Sequence, residues 1–497
     1  MSGPAVARFD PMPATLLARA LSLAVALPIA AVAQRPEPTA ADSALIGRIL
    51  SAEDRRDSSD AAIAEGLRHG DARVRVIATR ALGRIRDPRF VARDSLPAVP
   101  PPPSWPEPAW RLRYRGLTAN CDSLDVAVAD SALPVRLRAA DLAGPACASD
   151  TLLVSTLRRW AEGLSTTGTD RTRGRESWHT GAHALVALAR LDADDARPRI
   201  VAAARDRQWP VRLYAARAAL ITKDTTLLRA LARDRDDNVK EAAVSGLSKL
   251  VGHADDEVYV QVLRAMGAQA VRAAALALKG SPREDLRSTL NATFERWVAR
   301  NNASARDARV ALLDASGRPA SDDRPPWSRV ELPPRAVALA LGADVRLRVK
   351  LASSSSGGGG GGGGGGSFTV RLRGDVAPIT AARILALARS GYYNGLSWHR
   401  VEHDFVIQGG SPDANEYVGY AQYFRDELGT VPHVRGTVGM STRGHDTGDA
   451  QWFVNLRDNL RLGRDYTVFG EVIEGIDVVD GILEGDIIAS IDEIGGR

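Results

Sequence analysis

"LSWHRVEHDFVIQGGSP", residues 396–412, decides how the C-terminal part of this chain folds. Its apolar side chains predict two short strands, 396–401 and 405–408, joined by a charged turn and ended by a pair of glycines. Arg400 and Gln408 lie inside these strands, although a buried guanidinium needs partners for five donors. Such an arginine indicates either a structural ion pair with a neighbouring acid or a functional site.

The strand pattern extends across residues 344–497. The strings "VRLRVKLA" and "FTVRL" alternate apolar and polar side chains, and Gly357–Gly366 between them form a run of ten glycines. No GK[ST] follows this run, so it predicts a flexible hairpin loop and not a phosphate site. Apolar stripes at helical spacing in 378–391 and 475–482 predict two helices. Together they predict a closed antiparallel β-barrel with a helix over each open end.

Residues 40–320 carry a recurring phrase, VRxxAxxAL or a close variant. Small and apolar residues at helical spacing make one face that packs on a neighbouring helix, and the preceding acidic turns suit helix N-termini. The phrases resemble HEAT-like repeats of the short variety, which stack helix pairs into an α-solenoid. The copies of the phrase begin at Val74, Val135, Val211, Val239 and Val271.

Two irregular insertions, 96–110 and 165–181, interrupt this pattern and are typical of loops over a scaffold. Residues 321–343 break the helical period with proline and charge, and we interpret them as a linker. The predicted architecture is therefore a multidomain α + β chain, with a solenoid over 40–320 and a barrel over 344–497.

The N-terminus predicts an export signal over residues 1–33. Two arginines precede an apolar run, 20–33, which ends in a small-x-small pattern and predicts cleavage after Ala33. The alternative is an uncleaved anchor, but the run is shorter than the ~20 residues of a membrane-spanning helix. Export to the periplasm or exterior is therefore expected, without an integral membrane span after cleavage. In such a compartment Cys121 and Cys147 would form a disulfide; the alternative is two small buried side chains.

Composition narrows the function classes. The formal net charge is +5, but Arg and acidic residues are interspersed, and no basic run with interleaved aromatics occurs. We therefore expect no nucleic-acid partner. The chain has no HExxH, CxxC or GxSxG signature, which argues against a metal site and against serine-hydrolase chemistry.

Three stretches together resemble the cyclophilin family of peptidyl-prolyl isomerases: "WHRVEHDFVIQGGSP", "GTVGMSTRGHDTGDAQWFV" (436–454) and "RDYTVFGEV" (464–472). They follow the order and spacing of the family across residues 344–497. The resemblance implies a cyclophilin-type barrel, isomerisation of Xaa–Pro bonds without a cofactor, and substrates that are proline-containing segments of unfolded or exported chains.

The resemblance also implies roles for individual residues. Arg400, Phe405 and Gln408 correspond to catalytic positions, and further positions correspond to substrate contacts: His399, Val406, Ser441, Thr442, Gln451, Phe453, Leu462 and Tyr466. Ser441 and Thr442 replace a common Ala-Asn, and Arg443 adds a charge at the rim of the pocket. Val406 replaces a common methionine, and Arg461 replaces an aromatic ring. Taken singly, Arg400 also fits an ion pair with Glu402 or Asp404, and Phe405 and Phe453 also fit ordinary barrel core.

The sequence therefore predicts an exported peptidyl-prolyl cis-trans isomerase whose solenoid recruits clients or partners. An alternative is a binding protein that recognises proline motifs without turning them over, as the departures at Ser441, Thr442 and Arg461 allow. A third interpretation makes the solenoid the functional part and the barrel an accessory.

Overall fold

The computed structural model describes residues 37–86, 100–164, 178–323, 331–352 and 365–495. The expected signal peptide, the start of the first insertion and most of the second lie outside these ranges, as do part of the linker and most of the glycine run. Among the described residues, no helix combines the length and the apolar character that crossing a membrane requires.

Helices form most of the described chain before the barrel. In chain order they are α1 (Ala40–Arg55), α2 (Ala61–Leu67), α3 (Ala72–Arg86), α4 (Trp110–Gly116), α5 (Cys121–Ala127), α6 (Leu133–Leu142), α7 (Thr151–Gly163), α8 (Trp178–Leu191), α9 (Ala193–Ala203), α10 (Trp209–Ile221), α11 (Thr225–Leu231), α12 (Asp237–Val251), α13 (Asp256–Val262), α14 (Ala268–Leu278), α15 (Leu286–Ala299), α16 (Arg306–Ala315) and α17 (Ala336–Ala340). Several begin at a side-chain cap, including Asp150 before α7 and Asp224 before α11, whose carboxylates accept backbone N–H groups. Such caps contribute about 1 kcal/mol each.

The arginine of the recurring phrase has a repeated structural task. Arg75, Arg136 and Arg212 each donate from Nη1 to the backbone carbonyl of the residue six positions earlier, at 2.7, 2.8 and 2.9 Å. Each arginine thereby fastens the first turn of its helix to the preceding turn, while the valine before it is buried. The same contact in three copies explains why the VR pair recurs.

Helices α4–α16, which we call the helical array, form two layers. α6, α8, α10, α12, α14 and α16 pack on one another in chain order as the inner layer, and α7, α9, α11, α13 and α15 pack on them as the outer layer. The array encloses its own hydrophobic core. Cys121 and Cys147 are bonded to each other and join the start of α5 to the turn after α6. The assignment of these pairs to HEAT-like repeats stays a prediction.

Helices α1–α3 share a hydrophobic core with the barrel. Ile46 and Ile49 of α1 and Ile77 of α3 lie in one buried cluster with Leu347 and Ile384 of the C-terminal part. The apolar period of α1–α3 resembles that of the array, but its packing partner is the sheet and the helix that covers it.

The barrel consists of β1 (Arg346–Leu351), β2 (Ser367–Leu372), β3 (Trp398–Val401), β4 (Val406–Gly409), β5 (Thr437–Met440), β6 (Trp452–Asn455), β7 (Val468–Glu474) and β8 (Ile488–Ile494), with α18 (Pro378–Arg389) and α19 (Ile476–Asp480). The strands form one antiparallel sheet in the order β3-β4-β6-β5-β7-β2-β1-β8. Gly391, with φ +74°, follows α18 in the left-handed conformation that its predicted capping position requires.

The sheet is curled and its two edge strands touch. Ser397 and Ile487 form a single antiparallel bridge, and the Ile488 amide donates to the Leu396 carbonyl at 2.8 Å. β3 has four residues and β8 has seven. The two strands contact each other at one end only. The expected closed barrel is therefore a curled sheet with one point of closure, and its described strands do not form a continuous ladder around the circumference.

Candidate functional site

The candidate site lies on one row of residues that crosses β3, β4, β6 and β5. Arg400 is opposite Gln408, Gln408 is opposite Phe453, and Phe453 is opposite Gly439. A Cβ atom at Gly439 would collide with the Phe453 ring. Glycine at this position therefore lets the ring lie over β5, and the register brings an arginine, a glutamine and an aromatic ring side by side.

Gly410 follows β4 and brings the next part of the site close. Its φ is +96°, and a Cβ atom there would lie 2.5 Å from the Ala450 carbonyl oxygen and 3.1 Å from Gln451 Cα. Only glycine permits this approach. As a result Gln451 Oε1 accepts a hydrogen bond from Gln408 Nε2 at 2.9 Å.

The Arg400 guanidinium is held from three sides. Its Nε lies 2.8 Å from carboxylate oxygens of both Glu402 and Glu416, and its Nη2 also contacts Glu402. Its Nη1 donates to Gln408 Oε1 at 3.2 Å. One N–H on Nη1 and one on Nη2 have no partner among the described residues. The side chain is 33% exposed and lines a pocket.

Gln408 is fixed in one orientation by its partners. Its carbonyl oxygen accepts from Arg400, and its amide nitrogen donates to Ser441 Oγ at 3.0 Å and to Gln451. The side chain itself is buried. Gln408 thus connects the arginine on β3 to residues beyond β5 and β6, and it keeps the Arg400 fork in place.

A pocket of about 120 Å³ opens beside Arg400, and one part of its lining is apolar. Val406, Phe453 and Leu462 are its buried members, and Phe405 and Tyr466 pack against them. These side chains form a cluster separate from the barrel core. The interpretation of Phe405 and Phe453 as ordinary core therefore does not hold. The predicted residues that line this pocket are Arg400, Phe405, Val406, Gln408, Ser441, Thr442, Phe453, Leu462 and Tyr466.

Two predicted substrate contacts lie elsewhere. Gln451 is buried behind Gln408 and does not line the pocket. His399 lines a neighbouring cleft instead, and burial lowers the pKa of its imidazole to about 4. His399 is therefore neutral near pH 7. The register of β3 on β4 shifts between Trp398 and Arg400, so residue 399 lies at an irregularity of the strand.

Arg461 replaces the expected aromatic ring with a different flat group. Its guanidinium carbon lies 4.7 Å from the centre of the Phe405 ring. A guanidinium on an aromatic face gives an attractive cation–π contact. The departure from the family pattern therefore keeps Phe405 covered, while adding a positive charge at the rim of the pocket.

Two residues of the site, Glu416 and His433, were not predicted, and Arg443 was expected only as a charge at the rim of the pocket. Glu416 and Arg443 line the pocket, and the Arg443 Nη1 donates to the Glu416 carbonyl at 2.6 Å. His433 stacks on Phe453 at 5.8 Å, donates from Nε2 to the Tyr466 carbonyl, and has a pKa lowered to about 4 by burial. Glu416 and His433 lie in segments without strand or helix periodicity, so no pattern pointed to them. Arg443 had a signal, a charge next to the Ser-Thr pair.

Acidic and histidine side chains are numerous in the described residues, but no three of His, Cys, Asp and Glu there are grouped to hold a metal ion. The donors of the site are instead an arginine, two glutamines and hydroxyl groups. This arrangement can bind a small apolar ring and direct N–H donors at a group beside it.

The comparisons with known proteins concern the C-terminal part. The family model "Cyclophilin type peptidyl-prolyl cis-trans isomerase/CLD" matches residues 362–492. The chain is 40% identical over 119 residues to a peptidyl-prolyl cis-trans isomerase of Helicobacter pylori, a match that covers 23% of this chain and 73% of the relative. It is 39% identical over 113 residues to peptidyl-prolyl cis-trans isomerase-like 1 of Homo sapiens, covering 21% and 67%.

Among solved structures, a cyclophilin type peptidyl-prolyl cis-trans isomerase of Cryptosporidium parvum aligns with 31% of this chain and 99% of its own. The sequence identity is 22% and the TM-score is 0.27. The residues matched by the family model include β2–β7, α18, α19 and the pocket. Helices α1–α17 lie before them.

Proposed function

The chain belongs to the cyclophilin-type peptidyl-prolyl cis-trans isomerases, and we propose that the pocket beside Arg400 carries out the isomerisation on proline-containing segments of exported proteins. One observation carries this proposal. A guanidinium with two N–H groups unpartnered among the described residues stands beside a pocket whose apolar side chains do not belong to the barrel core.

The chemistry needs no broken bond. Rotation about an Xaa–Pro bond faces a barrier of ~18–20 kcal/mol because the amide C–N bond is partly double. In the twisted state the prolyl nitrogen has left conjugation and its lone pair can accept a hydrogen bond. A donor aimed at that nitrogen stabilises the twisted state more than either planar state, which lowers the barrier. Arg400 suits this task because it stays charged and holds its donors in a rigid fork.

The remaining residues either bind the substrate or position Arg400. Val406, Phe453 and Leu462 receive the proline ring, with Phe405 and Tyr466 at its sides. Gln408 holds the Arg400 fork and is itself held by Ser441 and Gln451. Glu402 and Glu416 fix the Nε side of the guanidinium, so the remaining donors point to the pocket.

Export is part of the proposal. The predicted signal and its cleavage after Ala33 lie outside the described residues, and the bonded pair Cys121–Cys147 supports an oxidising compartment. A mature protein that begins at Gln34, determined by mass spectrometry of the natural product, is the expected result; retention of residues 1–33 contradicts it. The recruiting role of the array is proposed in the narrower form that its inner layer, which faces the barrel, contacts the client.

The test uses the full-length protein and the cis–trans exchange of a short Ala-Pro peptide, measured by NMR. Wild type should accelerate the exchange. Arg400→Ala should lower kcat/KM by roughly 10²-fold or more, the usual loss when one preorganised donor is removed. The melting temperature should change little because the side chain is one-third exposed.

Arg457→Ala is the matched control. Arg457 belongs to the same barrel and pairs with Asp404, but it does not line the pocket. Its removal should leave exchange unchanged. Binding of the peptide by wild type without any acceleration would overturn the proposal and favour a protein that only recognises proline motifs.

A further inference from the structure

A second, larger cleft adjoins the proline pocket. It has a volume of about 520 Å³, within the usual range for ligand-binding clefts, and it shares Arg400 and Glu416 with the smaller pocket. One wall is β3 with the 411–418 loop, which follows Gly410. The opposite wall is formed by α10 and α12 of the helical array. The cleft therefore begins at the proposed catalytic arginine and lies between two parts of the chain, one of which precedes the family match.

The array presents one face of each helix to this cleft. Trp209, Leu213 and Leu220 follow helical spacing along α10 and give an apolar stripe. Ala242 and Ser245 lie on the facing side of α12. An extended chain against these helices could bury aliphatic side chains on α10.

Cross-contacts hold the cleft open at a fixed width. Asn238 of α12 donates to the Asp413 carbonyl at 3.0 Å. Arg272 of α14 donates to the Tyr417 hydroxyl at 3.3 Å and lies 4.6 Å from the centre of its ring. Val418 is buried in the hydrophobic core of the array. The 411–418 loop is thus fastened to the array at successive points, and both walls are rigid.

The charges on the walls are mixed. Arg217 and Lys249 of the array stand among Glu241, Glu416 and Glu484. Burial raises the pKa of Glu241 to about 7, so this carboxylate is partly protonated at neutral pH. Neither sign dominates, and the cleft gives no reason to select a strongly charged ligand. Its polar groups can instead meet the N–H and C=O groups of a polypeptide backbone.

We propose that this cleft binds the extended segment of the substrate polypeptide that flanks the Xaa–Pro bond, with an aliphatic side chain against the apolar stripe of α10. The proposal rests on the proposed isomerase function, because the shared Arg400 and Glu416 make the cleft continuous with the proline pocket. The helical array is then the second wall of the substrate groove, and it selects for substrate length and for an aliphatic residue at a fixed distance from the proline.

The experiment compares two kinds of peptide on the full-length protein. One is a short Ala-Pro tetrapeptide, and the other carries the same core with leucine-containing extensions on its N-terminal side, its C-terminal side or both. Extension on at least one side should raise kcat/KM roughly tenfold, which is the effect of burying one leucine side chain. Replacing the leucines by serine should remove this gain.

Ser245→Trp fills the cleft from an exposed position on α12. It should abolish the gain from the extension and leave the tetrapeptide rate unchanged. Ser288→Trp is the matched control, because Ser288 is an exposed serine on α15 of the outer layer. It should behave as wild type, and thermal unfolding should show that both variants fold.

Calorimetric binding of the extended peptide separates this proposal from the isomerase proposal. Tighter binding than the tetrapeptide, lost in Ser245→Trp, supports the cleft even where exchange is not accelerated. Equal use of short and extended peptides by wild type, or an undiminished gain in Ser245→Trp, overturns it while leaving turnover of the tetrapeptide as evidence for the isomerase.

Discussion

The barrel contacts helices on two faces, and the two contacts are built differently. Against α1–α3 it is joined by a common hydrophobic core, with buried ion pairs at its margin. Against the array, apolar contact is made by a small group, Leu133, Leu137 and Leu483, and by Val418 in the core of the array, beside polar contacts. Two clefts remain open on this second face, one of them next to Arg400.

Arg84 shows how the first contact is made. Its side chain is fully buried and donates to the backbone carbonyls of Leu428 and Val376, both at 2.8 Å, and to the Glu53 carboxylate at 2.9 Å. Glu427 in turn accepts the Thr380 amide at the start of α18 at 2.6 Å. The first contact is therefore part of the folded core of the barrel.

The second contact has the character of an interface that leaves room for a ligand. Arg111 of α4 donates to the His403 carbonyl and to Asp480, at 2.7 Å each, and the Tyr214 hydroxyl of α10 donates to Glu484 at 3.2 Å. From this difference we expect α1–α3 to contribute to the stability of the barrel, whereas the contact with the array leaves room for the proposed substrate cleft.

Removing Arg84 should give the largest effect. Arg84→Ala leaves Glu53 and Glu427 buried without their shared partner, so the free energy of unfolding should fall by about 3–5 kcal/mol. Urea unfolding of the full-length protein measures this loss. Arg115→Ala, which breaks a partly exposed pair with Asp404 across the second contact, should cost less than about 1 kcal/mol. Equal costs would remove the distinction between the two contacts.

Acid should weaken the second contact. Burial lowers the pKa of His403 to about 3 and that of His179 to about 4, both below the ordinary value near 6.5. The unfolded chain therefore binds protons first as the pH falls below 6.5. The contribution of these two neutral histidines to the free energy of unfolding is complete above that pH and is lost as the pH falls toward 4. Arg111, His179 and His183 lower the pKa of His403 further, and Asp141 raises it.

The change from pH 7 to pH 4.5 should cost the wild type roughly 2 kcal/mol through His403. His403→Gln does not titrate and should lose correspondingly less stability over the same interval. Urea unfolding at the two pH values compares them. The same pH dependence in both proteins would show that this interface does not exclude the charged imidazole.

Loosening the 411–418 loop should give the smallest effect. Arg272→Ala removes the contact of α14 with Tyr417 and frees Glu416, which holds Arg400. We expect kcat/KM for the tetrapeptide to fall roughly fivefold, the equivalent of one hydrogen bond of about 1 kcal/mol. Arg233→Ala, an exposed arginine on Gln261, is the control and should leave the rate unchanged. An unaltered rate in Arg272→Ala would mean that the array does not position the loop.

The parts of the site that could be predicted are those whose conformation depends on residues adjacent in the sequence. The strands expected at 396–401 and 405–408 are observed as Trp398–Val401 and Val406–Gly409. Alternation within a strand and the conformational freedom of Gly410 determine these positions, and both are visible in sequence. The same stretch placed Arg400 beside Gln408.

The features that could not be predicted depend on contacts between residues that are far apart in the sequence. The apolar period of α1–α3 is helical whichever surface they cover, so it could not distinguish a further layer of the array from a cap on the sheet. Glu416 lies in an irregular loop whose position is set by α12 and α14, more than 130 residues earlier in the chain. No pattern within the loop or within the helices predicts that they contact each other.

The contacts of Arg84 also determine the order in which parts of the protein can complete their folding during synthesis. Its carbonyl partner Leu428 lies 344 residues later in the chain, so α1–α3 are made first and receive their core last. During synthesis the array, whose contacts are between successive helices, can fold alone, whereas α1–α3 must wait with apolar surfaces uncovered. The newly synthesised chain therefore carries helices whose apolar surfaces need protection until the barrel has formed.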